Sequence, residues 1–176
     1  GFRRTGELYC VSVFSPTSVW AGGEGGILYR LNGNVWEMQE VGEQYFFSSI
    51  AASSANEAYA IGHVSESAPP VDSSGSFLFR FKDNQWTKVD SIMRTPGASE
   101  AQFGLGVYSW NGHLYSFGPN VYEKKSNGWR KLLNADVGQM SQSSENNIVA
   151  VGRNAWHYNG VDWKQFSALG FLLGVD

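Results

Sequence analysis

Apolar and polar positions alternate in short runs along the whole chain, and glycine or asparagine soon stops each run. The first stretch to show the full pattern is Ser18 to Trp36. Trp20-Ala-Gly-Gly23 ends one apolar run, Gly26-Ile-Leu-Tyr-Arg-Leu31 forms the next, Asn32-Gly-Asn34 turns the chain, and Trp36 opens a third run. The pattern returns three times. The second copy has Ala58-Tyr-Ala-Ile-Gly62, Phe77-Leu-Phe-Arg-Phe81, Asp83-Asn84 and Trp86. The third has His113-Leu-Tyr-Ser-Phe-Gly118, Asn120-Val-Tyr-Glu-Lys124, Asn127-Gly128 and Trp129. The fourth has Asn147-Ile-Val-Ala-Val-Gly152, Asn154-Ala-Trp-His-Tyr158, Asn159-Gly160 and Trp163. The four tryptophans lie 50, 43 and 34 positions apart, around the roughly 40-residue period of propeller blades.

Period-two alternation in runs of this length predicts half-buried strands, and Asn-Gly or Asp-Asn between two runs predicts tight hairpins. Each copy also has a leading segment rich in small residues: Cys10–Phe14, Phe47–Ala52, Phe103–Tyr108 and Gln139–Gln142. Small side chains suit the innermost strand of a blade, where the blades crowd together. The chain therefore predicts an all-β propeller of four-stranded antiparallel blades with strands A to D. The copies run over about 6–44, 45–101, 102–138 and 139–169. The tryptophans are expected to pack between adjacent blades. Residues 170–176, Phe171-Leu-Leu-Gly-Val-Asp176 within them, match a leading segment. The expectation is part of a larger ring, in a longer chain or an oligomer; the alternative is a four-bladed ring closed by that segment, which would hide open sheet edges.

Composition agrees with an all-β domain: 176 residues with 42% hydrophobic, 15% aromatic and 16% charged side chains and 21 glycines. A formal charge of −3 with no basic stripe argues against a nucleic-acid surface. No apolar run approaches the roughly 18 residues of a membrane span. The single cysteine, Cys10, excludes an intrachain disulfide and reads as a small buried hydrophobe.

These copies resemble the bacterial propeller repeats related to photosystem II assembly-factor and sialidase-like propellers, and to a lesser degree tectonin repeats, a lectin class with similar Trp and Gly punctuation. The resemblance implies a binding scaffold, with a protein partner as the first expectation and carbohydrate as the second, in an extracytoplasmic setting: periplasmic, cell-surface or secreted. Sialidase activity is not expected, because Leu31-Asn-Gly-Asn-Val-Trp36 and Tyr158-Asn-Gly-Val-Asp-Trp163 lack the Ser, Asp and Thr of an Asp-box at the places where that motif requires them. A glycosidase-type enzyme with its site in other blades is the third reading.

Up-and-down blades put the A–B and C–D connections on one face and the B–C and D–A connections on the other. Two long connections, His63–Ser74 and Asp90–Glu100, fall on the second face, and long loops in compact domains are often functional. The sequence therefore predicts a binding lip made by His63, Glu66, Asp72, Arg94 and Glu100, near Glu24, Asn120 and Arg153; the alternative is a solvated insertion with no role. No cofactor, metal site or catalytic residue is expected. The three histidines lie in different copies without ligand spacing. Gly22-Gly-Glu-Gly-Gly26 has no Gly-Lys-Ser/Thr after it, so it reads as a hairpin turn.

Overall fold

A computed structural model of the chain describes residues 6–42, 45–64, 75–93 and 106–166. Among the described residues there are sixteen strands in four antiparallel sheets and no helix. Blade one is β1(Leu8–Ser15), β2(Ser18–Gly23), β3(Ile27–Asn32) and β4(Val35–Glu40). Blade two is β5(Tyr45–Ser54), β6(Glu57–Val64), β7(Gly75–Lys82) and β8(Gln85–Met93). Blade three is β9(Gly106–Trp110), β10(His113–Phe117), β11(Val121–Lys125) and β12(Gly128–Leu133). Blade four is β13(Val137–Ser144), β14(Asn147–Gly152), β15(Ala155–Tyr158) and β16(Trp163–Phe166). In each blade the strands pair in chain order, and β1, β5, β9 and β13 neighbour one another in that order. This is a β-propeller arrangement of four blades. Residues 170–176, expected to close the ring or begin a further blade, lie outside the described residues.

Turn chemistry explains the hairpins. Asp83 and Asn84 both take positive φ, as do Asn111 and Gly112, the backbone of a type I′ turn. Asn and Gly tolerate that region where other residues strain. Two of the repeating glycines serve packing instead. A Cβ on Gly22 would meet Leu28 and Phe47 across the first seam, and one on Gly152 would run into the Asp136 carbonyl.

Register sorts each sheet into two faces, because directly paired residues point the same way. In blade two the row Ala52–Ala58–Phe81–Trp86 points back to blade one. There Trp86 meets Trp20 edge-on at 5.5 Å, and Phe81 meets Trp20 at 4.7 Å. In blade three, Leu114 and Trp129 pack with Ala51, Tyr59, Ile61 and Leu78 of blade two. In blade four, Ile148, Tyr158 and Trp163 pack with Tyr115, Val121 and Leu133 of blade three. Each D-strand tryptophan from blade two onward thus faces the preceding blade. Full burial of a large apolar side chain stabilises by about 1.5–3 kcal/mol, so these three seams hold the blades together.

Candidate functional site

The C strand of each blade carries one polar position on its forward face: Arg30 in blade one, Arg80 in blade two, Glu123 in blade three and His157 in blade four; the first three point into a seam. In the first seam Arg30 is buried, and its guanidinium lies over Trp20 and Phe81 at 5.1 and 5.2 Å. It donates across the seam to the Ala55 carbonyl at 2.9 Å and to Asn56 Oδ1 at 2.6 Å, on the β5–β6 turn. That bridge joins blade one to blade two. In the second seam Arg80 Nε donates to Glu57 Oε1 at 2.7 Å within its own blade. Here the seam is joined by Asp90, whose Oδ2 accepts from Lys124 Nζ and from Trp129 Nε1, each at 2.9 Å.

The third seam differs because the position holds an acid. Glu123 is only 4% exposed, and it binds hydrogen-bond donors of its own blade. Its Oε1 accepts from His113 Nδ1 at 2.9 Å and from Lys125 Nζ at 2.6 Å, and its Oε2 accepts from Arg130 Nη2 at 2.7 Å. Burial pushes this carboxyl up, but hydrogen bonds from Lys125, His113 and Arg130 outweigh burial and hold it at about 2. A carboxylate fixed as an anion is unsuited to proton transfer near neutral pH. Its effect is to position three donors.

The outcome is a cleft of about 470 Å³ between blades three and four, opening on the face of the A–B and C–D turns. Tyr115, Ile148, Tyr158 and Trp163 give it apolar walls, Lys125, Arg130 and Lys131 a cationic rim, and the Glu145–Asn146 turn its far edge. Arg130 and Lys125 keep large exposed fractions despite their bonds to Glu123. A second cleft of about 480 Å³ lies at the equivalent place between blades one and two, lined by Arg30, Glu57, Lys82 and Asp83 among others.

The loop-face residues expected from the sequence are only partly visible. Glu66, Asp72, Arg94 and Glu100 lie outside the described residues. His63 is half-buried, lies with its ring tilted 5.1 Å from that of Phe46, and shares hydrogen bonds with Ser48 Oγ through Nε2 at 2.8 Å and Ser76 Oγ through Nδ1 at 3.0 Å. Asn120 is buried and donates to the Tyr122 hydroxyl at 3.2 Å. Arg153 is exposed and pairs with Asp136 at 3.5 Å, an arrangement worth little. Glu24 is exposed and accepts from the Tyr9 hydroxyl at 2.8 Å. The Glu123 cluster escaped sequence reasoning. Its only signal was an acid at a position where two other copies carry arginine. Among the described residues no three His, Cys, Asp or Glu side chains come together as a metal site, and no helix is long and apolar enough to cross a membrane.

Repeated four-stranded sheets joined by seams of one register define a β-propeller protein. No family model matches the sequence, and no curated protein is similar to it. Solved structures are. One is YCF48 bound to D1 peptide, with 17% identity over 92% of this chain and 55% of that one, TM-score 0.60. A second is the WD40 β-propeller domain of Doa1, with 14% identity over 95% and 56%, TM-score 0.63. A third is YCF48 from Cyanidioschyzon merolae, with 18% identity over 93% and 58%, TM-score 0.58. At these identities the likeness concerns the fold. The chain spans 55–58% of the length of the solved chains.

Proposed function

We propose that this protein is an interaction scaffold that takes an extended, carboxylate-bearing peptide segment of a protein partner in the cleft between blades three and four. One observation carries the reading: buried Glu123 holds Lys125 and Arg130 at the rim of a cleft walled by tyrosine and tryptophan. Arginine presents a planar fork that matches a carboxylate, and aromatic walls accept the apolar side chains between acidic ones. One of the similar structures, YCF48 bound to D1 peptide, supports peptide binding as a use of this fold. The sequence directed attention to the long loops on the opposite face. We assign binding to the turn face because the formed cleft is there.

Fluorescence anisotropy with a fluorescein-labelled peptide of alternating Glu and Leu tests this. Arg130→Glu should weaken binding roughly tenfold, about 1.4 kcal/mol, and salt should weaken the wild type. A Lys-Leu peptide should not bind. Equal binding of the Glu-Leu peptide to wild type and Arg130→Glu, or none to either, overturns the assignment; a positive glycan panel alongside would move the reading to a lectin. An extracytoplasmic setting belongs to the same proposal, supported by the resemblance of the repeats, and an alkaline phosphatase fusion that stays inactive would refute it.

A further inference from the structure

The polar position of each C strand stands beside the first residue of the neighbouring B strand, and in three blades the two are joined. Arg80 donates to Glu57, His113 shares a hydrogen bond with Glu123, and His157 Nε2 lies 2.8 Å from Asn147 Oδ1. In blade one the corresponding residue is Ser18. It is buried, and its hydroxyl turns to the Ala55 carbonyl at 3.5 Å. Arg30 is thus left without the acid that Arg80 has.

The other groups around Arg30 do not make up the deficit. Glu37, opposite it on β4, accepts from Asn32 Nδ2 at 3.1 Å instead. Both hydrogen bonds of the guanidinium leave from Nη2, and Nε is buried with no acceptor. The indole Nε1 atoms of Trp20 and Trp86, in the same seam, are buried donors without an acceptor too. Arg30 is only 5% exposed, and a buried charge is costly unless its hydrogen bonds are met. The first seam therefore has more donors than acceptors.

The cleft of about 480 Å³ between blades one and two opens beside this guanidinium. Its volume lies in the range of small-molecule sites, about 300–1,000 Å³. Phe81 supplies an apolar wall, Lys82 a second cation, and Asn56 and Asn84 supply amides. Asn56 already accepts from Arg30 through Oδ1, which leaves its Nδ2 to donate.

We infer that this cleft is a second ligand site, separate from the Glu123 cleft, and that it takes a small organic acid through its carboxylate. A guanidinium offers planar donors that match a carboxylate. Glu57 and Asp83 also line the cleft and repel a doubly charged group such as phosphate, so the site selects a monoanion. The site is independent of peptide binding between blades three and four. A lone carboxylate makes few contacts, so acetate should bind with a dissociation constant on the order of 1 mM. A peptide at micromolar concentration therefore leaves it empty.

Proton–nitrogen correlation NMR of the Arg30 Nε–H and the Trp20 and Trp86 indoles tests the inference. Sodium acetate replaces sodium chloride up to about 30 mM at constant ionic strength and pH 7. The Arg30 and Trp20 signals should shift saturably. Acetamide, the neutral isostere, and phosphate should leave them in place. Lys82→Glu should weaken acetate binding roughly tenfold. Asp83→Asn should tighten it about threefold, and Asn tolerates the positive φ at this position. Both residues are exposed, so both variants should keep the wild-type melting temperature. No saturable shift at Arg30, an equal response to acetamide, or unchanged acetate affinity in Lys82→Glu overturns the inference. A stronger response to phosphate than to acetate overturns it as well.

Discussion

Replacing Glu123 by Gln removes the one buried anion among the described residues while keeping the shape of the side chain. In the fold its carboxyl falls from 4.5 to about 2. A shift of that size corresponds to about 3 kcal/mol of preference for the ionised form. The sign follows from proton binding. Between pH about 2 and 4.5 the unfolded chain holds the proton more tightly than the fold does, so stability rises with pH across that window. It is complete above the unfolded value and lost as pH falls through the folded one. Urea unfolding of wild type and Glu123→Gln at a series of pH values reads this directly. At pH 7 the variant should be less stable by about 2–3 kcal/mol. The two curves should converge as pH approaches 2, where the wild-type carboxyl is also neutral. Glu57 and Asp90 are depressed as well, because hydrogen bonds to Arg80 and to Lys124 with Trp129 outweigh burial. Both chains share those groups, so the difference between the curves isolates Glu123. A difference that stays constant from pH 7 to 2 would refute the reasoning.

Further outcomes follow from the seams and from Cys10. Trp86→Ala should cost about 3–5 kcal/mol in urea unfolding, because the ring fills the first seam against Trp20 and Phe81. Trp36→Ala should change stability by less than about 0.5 kcal/mol, because the ring is 54% exposed. Equal costs at the two sites would contradict the difference in their burial. Burial raises the Cys10 thiol to about 12, against a smaller lowering by a backbone hydrogen bond with Gly22. Iodoacetamide at pH 8 should therefore label it far more slowly in the folded chain than in urea, and equal rates would show that it is accessible.

Strand positions and hairpins were legible because they rest on local chemistry. Asp83-Asn84 and Asn111-Gly112 mark turns through the backbone conformations they tolerate, and alternation in Phe77–Phe81 sets which residues face inward. The role of the tryptophans was legible only as packing between blades. Which blade each meets depends on register across four strands. The cleft was illegible for the same reason. His113, Glu123 and Arg130 meet because β10, β11 and β12 pair in one register, a juxtaposition that no linear spacing announces. Asn120 shows the converse: a polar residue in a connection looked available, but folding buried it against Tyr122.

The claim that the cleft between blades three and four is the binding site is tested most directly by an amide and indole NMR titration with the Glu-Leu peptide. The account predicts shifts at the Trp163 indole and at the Tyr115, Arg130 and Ile148 amides, with the Trp20 and Trp86 indoles unmoved. Shifts confined to His63, Arg153 and their neighbours on the opposite face would contradict it.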